Sequence, residues 1–174
     1  MALQVIFLGE VSSTNQYAKR WSEEHANVDE VAVFAKYQSS GKGQHGRVWE
    51  SRSGENLLGS FLVRDCIPSQ LVGLNLAAAL AITDLIKDRI QQQVHIKWPN
   101  DVYVAHQKIA GVLLENTIQA NRKVKVVAGI GVNVNQVEFR EQNATSLKLL
   151  TQQTYDVNTL CLELADLFYR RSKQ

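Results

Sequence analysis

The chain has 174 residues, enough for one domain with a hydrophobic core of its own. Hydrophobic residues make up 45% of it and charged residues 21%, as in an ordinary globular protein. The formal net charge of +2 is too small to indicate a nucleic-acid or membrane partner, so any positive field must be local.

We expect no membrane-spanning segment, because no stretch of about 18 residues is apolar throughout and free of charge. The short apolar run near the N-terminus lacks a basic flank, so it predicts a first strand and not a signal peptide. Cys66 and Cys161 lie far apart and the four histidines are scattered, so neither residue type indicates a metal site. Two free thiols are typical of a reducing compartment, and we expect a cytoplasmic protein.

Hydrophobic patterning predicts seven strands and three helices along the chain. Ser13 should cap the first helix, since Ser-Thr-Asn-Gln fits a capping box, and Asn158 should cap the last. Short polar connections are predicted at 105–107 and 120–122. The strands are predicted at 5–8, 31–37, 57–63, 94–98, 101–104, 109–117 and 123–134, and the helices at 14–25, 71–90 and 158–171.

A run of strands with flanking helices favours the α+β class with a mixed, largely antiparallel sheet. No repeat, low-complexity tract or interdomain linker interrupts the sequence, so residues 1–174 are predicted to form one domain. Between 38 and 55 neither periodicity occurs, and glycine, serine and charged residues dominate. A loop of that length in a compact domain is typically functional or disordered.

Gly41, Gly43 and Gly46 match the spacing GxGxxG inside this loop. A dinucleotide-binding fold requires a helix directly after the glycines, and the residues after Gly46 do not predict one. The chain also lacks the lysine strand and the catalytic motifs of a protein kinase. A third interpretation is a loop whose amides and cations hold a carboxylate or phosphate. A merely flexible loop is the alternative, against which Trp49 argues, because a tryptophan in a polar loop usually covers something.

Two lysines, Lys97 and Lys108, stand eleven residues apart around an Asn-Asp pair. We interpret this segment as the second part of an anion site. Simpler interpretations stay open: Trp98 as a core residue, Lys97 as a solvated charge at a strand end, and Ser13 as a helix cap only. Lys108 is harder to explain in this way, because the Ala-Gly step beside it leaves room for a ligand.

At these residues the chain resembles the catalytic domain of biotin protein ligases, and the resemblance runs over nearly all of its length. Five motifs occur in the family's order and at compatible spacing. Each is weak alone, and together they are specific. They are Ser13-Thr14-Asn15, Gln38 with Gly41 to Trp49, Lys97 to Asp101, Lys108 to Glu115 and Gly129 to Asn135.

The resemblance implies a class II synthetase-like fold, the biotin/lipoate ligase fold, and a two-step ATP-dependent ligase reaction. Biotin's carboxylate would attack the α-phosphate of MgATP to give biotinyl-5′-AMP and pyrophosphate. The biotinyl group would then pass to a lysine of a biotin carboxyl carrier protein. Cations and Mg²⁺ suit such chemistry, because both lower the repulsion between two anions, and no covalent enzyme nucleophile is needed.

The resemblance also implies roles for single residues. Lys108 would bridge the carboxylate and the α-phosphate, with Arg47 as a second catalytic cation. Asn133 would read the adenine, and period-two alternation puts it on one sheet face with Asn135. Asn100 and Asp101 offer oxygen atoms to ATP or Mg²⁺. Biotin would be bound by Ser13, Thr14, Gln38, Gly41, Lys42, Lys108, Gly111, Leu113 and Gly129, and ATP by Arg47, Trp49, Lys97, Asn100, Asp101 and Asn133.

The chain departs from the family pattern in its glycine loop. Many relatives carry Gly-Arg-Gly-Arg-Arg-Gly-Arg there, where this chain has Lys42, Gln44 and His45. Gln44 carries no charge, so we expect weaker retention of the adenylate than in arginine-rich relatives. An adenine-stacking tryptophan expected near 144–147 is also absent.

Other expectations concern the chain ends and competing functions. No C-terminal β-barrel follows the last helix, so we expect a less enclosed adenine and less efficient transfer. No DNA-binding segment precedes the first strand, which argues against a repressor role and a nucleic-acid partner. A lipoate ligase, with the same chemistry on a similar fold, and a catalytically weak biotin-binding or regulatory module remain as alternatives. The oligomeric state stays open, with a homodimer as one option.

Overall fold

The computed structural model describes residues 3–118 and 123–174. The strands are β1 (Gln4–Val11), β2 (Val31–Gln38), β3 (Leu57–Cys66), β4 (Val94–Lys97), β5 (Asp101–Val104), β6 (Gln107–Ile118) and β7 (Val124–Val132). The helices are α1 (Thr14–Glu24), α2 (Leu71–Lys87), α3 (Leu147–Thr151) and α4 (Val157–Ser172). The strands form one open sheet in the order β1-β2-β3-β7-β6-β5-β4.

The sheet is mixed, because β1 pairs with β2 in parallel while every other neighbouring pair is antiparallel. This confirms the predicted fold class. All the predicted strands and helices occur, with ends that differ by a few residues. The five-residue helix α3 was not predicted, since it is too short to show a helical period. The predicted connection at 120–122 lies outside the described residues.

The helix caps agree with prediction at one end of the chain only. Ser13 Oγ accepts a hydrogen bond from the Gln16 N–H at 3.5 Å, which confirms it as the cap of α1. The cap of α4 is Asp156, and the prediction of Asn158 was wrong. The Asp156 carboxylate accepts from the Asn158 N–H at 3.1 Å, and a negative charge is favourable at a helix N-terminus.

Alternation along the central strands separates two apolar layers. On one face, Val31, Val33 and Leu62 pack against Ala18 and Trp21 of α1. The opposite face carries the main core under α2 and α4, whose large buried side chains include Phe34, Phe61, Ile82, Leu164 and Phe168. The cleft of the molecule opens on the α1 face, beyond the N-terminus of that helix.

Helix α2 and the turn before it are unusually apolar. By length and composition alone the segment Pro68–Lys87, with a mean hydropathy of 1.5, could cross a membrane, although it carries the charged residues Asp84 and Lys87. A core helix meets the same criterion. In the structure α2 buries Leu74, Ala78, Ile82 and Leu85 against the rest of the molecule.

Asp84 links α2 to α4. Its carboxylate forms ion pairs with Lys87 at 2.8 Å and with Arg171 at 2.5 Å, and its side chain is 14% exposed. Burial raises the pKa of the Asp84 carboxyl, but the hydrogen bonds and charges of the two cations outweigh burial and lower this pKa below its usual value. The two ion pairs of Asp84 therefore stabilise the fold only while its carboxyl group is ionised.

Candidate active site

Two adjoining cavities open on the α1 face. The first, which we call the sheet cavity, lies between the start of α1 and the strands β3, β6 and β7. The second, which we call the loop cavity, lies between the glycine loop 41–49 and the segment 139–144, and it has a volume of about 530 Å³. The two share a wall made of Gly43, Gln44, Trp49, Asn100, Asp101 and Lys108.

The glycine loop folds back on itself in a short hairpin-like turn. The Gly43 N–H donates to the Arg47 carbonyl at 2.7 Å, and the Trp49 N–H donates to the Gly41 carbonyl at 3.1 Å. His45 and Gly46 have φ angles of 55° and 75°, so Gly46 is the loop glycine that uses the left-handed region. No helix follows before β3, which confirms that a dinucleotide-binding helix is absent here.

Trp49 lies across the floor of the sheet cavity. Gly111 of β6 pairs with Gly131 of β7, and together they leave bare backbone under the indole. A Cβ atom on Gly131 would lie 2.5 Å from Trp49 Cε2, so no side chain fits there while the indole keeps its place. The expectation that Trp49 covers something is thus confirmed.

A β-bulge sets which way Lys108 points. Between β5 and β6 the register shifts by one residue at Ile109, since Val102 pairs with Ala110 and Tyr103 pairs with Lys108. In a regular strand Lys108 and Gly111 would lie on opposite faces, because they are three residues apart. The bulge brings both onto the cleft face, and the Cβ position of Gly111 is 3.4 Å from Lys108 Cε.

Lys108 stands where the two cavities meet. Its Nζ lies 2.8 Å from Asp101 Oδ1 and 5.6 Å from the centroid of the Trp49 ring, and its side chain is 19% exposed. Its backbone N–H donates to the Asn143 carbonyl at 2.6 Å. The ammonium is thus held by charge and by an aromatic face, at a point that ligands in both cavities can reach.

Hydrogen bonds link the polar groups at the far end of the sheet cavity, and those of Ser60 are buried. Gln38 Oε1 accepts from the Thr14 N–H at 2.7 Å and from the Thr14 hydroxyl at 2.9 Å. The Ser60 hydroxyl lies 2.7 Å from Thr14 Oγ1 and 2.5 Å from Asn15 Oδ1. Asn15 Nδ2 donates to Glu115 Oε2 at 2.8 Å.

The loop cavity is formed by more exposed groups. Arg47 and Arg140 are exposed, and Phe139 contributes apolar surface beside them. Asn133 Nδ2 donates to the Thr145 carbonyl at 3.0 Å. In the part of the chain that the structure describes, Asn133 Oδ1 and Trp49 Nε1 are buried without a hydrogen-bond partner. A buried acceptor and a buried donor without partners are unfavourable unless a ligand bonds them.

The structure brings most of the predicted site residues to these two cavities. Gly41 is buried behind the sheet cavity, where its Cβ position is 3.3 Å from the Trp49 carbonyl oxygen. The predicted residues that line the sheet cavity are Ser13, Thr14, Gln38, Lys42, Trp49, Asn100, Asp101, Lys108, Gly111, Leu113 and Gly129. Those that line the loop cavity are Arg47, Trp49, Asn100, Asp101, Lys108 and Asn133.

Three expectations do not fit the geometry. Lys97 lies exposed at the end of edge strand β4, with its Nζ 5.2 Å from the ring centroid of Tyr103, and it lines neither cavity. Trp98 is 62% exposed, so its interpretation as a core residue was wrong. Asn133 and Asn135 do not share a face, because β7 ends at Val132 and strand alternation stops there. The Asn135 side chain instead forms two hydrogen bonds with the backbone of Tyr155.

Sequence reasoning assigned no role to several residues of the site. Asn15 and Glu115 stand inside the quoted motifs, next to residues that did receive roles. Ser60 has a weaker signal, as a fully buried hydroxyl in the apolar run of β3. Phe139 is an aromatic residue in an otherwise polar stretch.

A narrow polar cavity meets an open cationic cavity at one lysine, and this arrangement suits a small acid and a phosphate-bearing ligand placed side by side. The sequence matches the model of the Biotin/lipoate A/B protein ligase family over residues 8–135, and the chain belongs to that family.

Relatives agree with this assignment. The chain is 34% identical over 155 residues to the bifunctional ligase/repressor BirA of Escherichia coli K12, which covers 88% of this chain and 47% of that protein. It is 34% identical over 167 residues to the biotin–[acetyl-CoA-carboxylase] ligase of Mycobacterium tuberculosis, covering 92% of this chain and 61% of the relative. The chain thus spans about half the length of the curated relatives it matches.

Solved structures share the fold. The biotin protein ligase of Aquifex aeolicus in complex with biotin and ATP superimposes with a TM-score of 0.80 at 32% identity, covering 98% of this chain and 70% of that one. The biotin protein ligase of Leishmania major in complex with biotinyl-5-AMP gives a TM-score of 0.80 at 25% identity, with 98% and 75% covered. The predicted biotin/lipoate ligase fold is confirmed.

Proposed function

We propose that this chain is the catalytic domain of an ATP-dependent biotin–[acetyl-CoA-carboxylase] ligase. The observation that carries the proposal is the position of Lys108, whose ammonium lies at the wall between the sheet cavity and the loop cavity. Biotin would occupy the sheet cavity and ATP the loop cavity. The relatives support this assignment, since the Mycobacterium tuberculosis protein is a biotin–[acetyl-CoA-carboxylase] ligase and the Aquifex aeolicus structure is a biotin protein ligase in complex with biotin and ATP.

In the first step a carboxylate oxygen of biotin forms a bond to the α-phosphorus of ATP, and the bond from that phosphorus to the pyrophosphate oxygen breaks. Two anions must approach each other, and the Lys108 ammonium reduces their repulsion from a point between them. Trp49 and the glycine floor exclude water from the reacting atoms. Arg47, which lines the loop cavity, lies on the side where the phosphates would bind.

The groups for Mg²⁺ fit a metal that arrives with the nucleotide. Mg²⁺ usually takes one or two carboxylates together with phosphate oxygens and water. Asp101 supplies one carboxylate, and Asn100 supplies an amide oxygen, since its Nδ2 donates to the Val112 carbonyl at 3.1 Å. Among residues 3–118 and 123–174, no three His, Cys, Asp or Glu side chains form a metal cluster. When bound, Mg²⁺ supplies charge neutralisation for the leaving pyrophosphate.

The unpartnered atoms of the loop cavity suit a nucleotide. Asn133 Oδ1 would accept a hydrogen bond from the exocyclic amine of adenine, and Trp49 Nε1 would donate to a phosphate oxygen. Phe139 offers an apolar surface for the base. This surface partly compensates for the tryptophan that is absent near 144–147.

In the second step the amine of a lysine on a biotin carboxyl carrier protein attacks the acyl carbon of biotinyl-5′-AMP. An amide forms, the bond from the acyl carbon to the phosphate oxygen breaks, and AMP and a proton leave. The carrier protein is therefore the proposed partner. The two buried free thiols, Cys66 and Cys161, support a location in the reducing cytoplasm.

The experiment that tests this function measures pyrophosphate release by the purified chain with ATP and biotin, and in parallel with ATP and lipoic acid. We expect release with biotin, and a loss of about a hundredfold or more in kcat/KM in Lys108→Ala. Lys19→Ala, an exposed position on α1, serves as the matched control.

Each other result contradicts the proposal in a recognisable way. Release with lipoic acid and not with biotin would identify a lipoate ligase. Biotin binding without pyrophosphate release would identify a binding module. Full activity of Lys108→Ala, with an unchanged melting temperature, would remove the central role of this residue.

A further inference from the structure

Two amide side chains are buried next to the segments that form the loop cavity. Asn56, directly before β3, is 1% exposed, and Gln136, in the segment after β7, is fully buried. We call these two residues the amide pair. A buried amide is unfavourable unless its donors and acceptors are bonded, so the partners of the pair show what its burial achieves.

Backbone groups fix the orientation of both amides. The Val134 N–H donates to Asn56 Oδ1 at 3.0 Å. The Arg52 N–H donates to Gln136 Oε1, also at 3.0 Å. A backbone N–H can only donate, so both of these side-chain atoms must be oxygens. The nitrogens then follow: Gln136 Nε2 donates to the Glu138 carbonyl at 2.7 Å, and Asn56 Nδ2 donates to Gln136 Oε1 at 2.7 Å.

The amide pair joins the two walls of the loop cavity. Trp49 lines one wall and Phe139 lines the other. Arg52 follows Trp49 by three residues at the exit of the glycine loop, and Glu138 directly precedes Phe139. Gln136 therefore bonds the backbone behind both walls, one through its oxygen and the other through its nitrogen.

Other contacts between these walls are exposed to water. The side chains of Arg52 and Glu138 form an ion pair in which they are 52% and 74% exposed. The Arg140 N–H donates to a Glu50 carboxylate oxygen at 3.0 Å, again at the surface. Exposed ion pairs contribute little, because water and salt screen them. The buried amide pair is shielded from that competition.

The wall that depends on the pair is the segment 136–141. Trp49 is also held by its N–H bond to the Gly41 carbonyl and by its contact with Gly131, so it keeps its place without Gln136. The segment 136–141 lines the loop cavity with Phe139 and its two neighbours and does not line the sheet cavity. A change in the pair should therefore affect the ligand of one cavity only.

We propose that Asn56 and Gln136 are positioning residues for the nucleotide. They hold the Phe139 wall against the Trp49 wall before ATP arrives, which reduces the conformational entropy that is lost when ATP binds. Neither residue touches the reacting atoms, since both act through the backbone of the cavity walls. This inference rests on the proposed function and deepens it, because it identifies what sets the affinity for ATP.

The test replaces Gln136 by an apolar side chain of similar length. In Gln136→Met we expect the KM for ATP to rise about fivefold to twentyfold and the KM for biotin to stay within about twofold. The Kd for α,β-methylene ATP, measured by calorimetry, should rise in parallel with the KM for ATP. In the ligand-free chain, the backbone amides of 136–141 should exchange hydrogen faster than in the wild type.

Three further variants separate positioning from stability. Tyr169→Phe removes a buried hydroxyl that lies 2.7 Å from the Val31 carbonyl in the main core, so it should lower the melting temperature and leave both KM values unchanged. Glu138→Gln removes the exposed ion pair but keeps the carbonyl that Gln136 bonds, and the KM for ATP should stay within about twofold. Gln136→Asn, one methylene shorter, should raise the KM for ATP and supplies the test if Gln136→Met does not fold.

The inference is overturned if the KM for ATP is unchanged in a folded Gln136 variant, or if both KM values rise equally. It is also overturned if Tyr169→Phe or Glu138→Gln raises the KM for ATP as much as the Gln136 variants do. Failure of the proposed function gives a different result, because the wild-type chain would then release no pyrophosphate with biotin.

Discussion

The sheet cavity and the loop cavity solve the problem of ligand binding in different ways. In the sheet cavity the polar side chains are already bonded to one another, from Gln38 through Thr14 and Asn15 to Glu115. In the loop cavity the cations are exposed, and Asn133 Oδ1 and Trp49 Nε1 are buried without partners in the described chain. The first is preorganised by strands and a helix, whereas the second depends on its ligand to complete its bonds. We therefore expect substitutions in the sheet cavity to change selectivity and those in the loop cavity to change affinity.

The floor shared by both cavities gives the largest expected effect. In Gly131→Val a side chain would occupy the place of the Trp49 indole, whose Cε2 lies 2.5 Å from the Cβ position. Displacing Trp49 should disturb both ligands at once, with a loss of about a hundredfold in kcat/KM for pyrophosphate release. Gly9→Val is the matched control, because no heavy atom lies within 4 Å of its Cβ position. Activity of Gly131→Val within a few-fold of wild type would contradict the role of this floor.

Arg47 should affect the nucleotide and not the acid, since it lines the loop cavity only. We expect Arg47→Ala to raise the KM for ATP about tenfold and to leave the KM for biotin within about twofold. Arg20→Ala, exposed on α1, is the control of equal charge. Steady-state kinetics with each substrate varied in turn measure both values. An equal rise of both KM values would mean that the cavities do not act separately.

Gln44 lines both cavities, so a charge there should affect the adenylate that spans them. We expect Gln44→Arg to slow the dissociation of biotinyl-5′-AMP about threefold to tenfold. His45→Arg adds the same charge on a residue that lines the loop cavity only, and should have a smaller effect. Release of radiolabelled adenylate measures the rate. An unchanged rate in Gln44→Arg would refute the expectation of weak retention in the natural chain.

Asp84 lies outside both cavities and gives the smallest effect on the reaction. Asp84→Asn removes ion pairs with Lys87 and Arg171, so the free energy of unfolding should fall by about 1 kcal/mol at pH 7 while both KM values stay unchanged. The folded-state pKa of Asp84 is lowered, so its stabilising contribution is present above its unfolded pKa of about 3.9 and is lost as the pH falls further. Denaturant unfolding of both proteins between pH 7 and pH 3 measures this. A difference that grows towards low pH would have the wrong sign.

Most of the fold could be predicted from the sequence, because the strands are short runs rich in apolar residues and each long helix has an apolar stripe. The cavity-lining residues were largely found through motifs. The sequence could not predict the directions in which side chains point. Nothing in the sequence around Ile109 indicates the β-bulge that turns Lys108 towards Gly111. Likewise, strand alternation was extended to Asn135, although β7 ends before it. Trp98 was misjudged because hydrophobicity alone does not reveal that a loop holds a residue outside the core.

The extra residue in β6 makes the charge balance of the site depend on a count and not on an amino-acid type. Were β6 an uninterrupted pleat with Ile109 opposite Tyr103, the Lys108 ammonium would turn through the sheet, into the layer where α2 buries Ile82 and Leu85. Deleting Ile109 would instead leave Lys108 two residues from Gly111, where ordinary alternation keeps both on the cleft face. A chain that lacks this one residue would therefore keep its cation at the reaction, whereas a chain with the full motif in a straight strand would lose it.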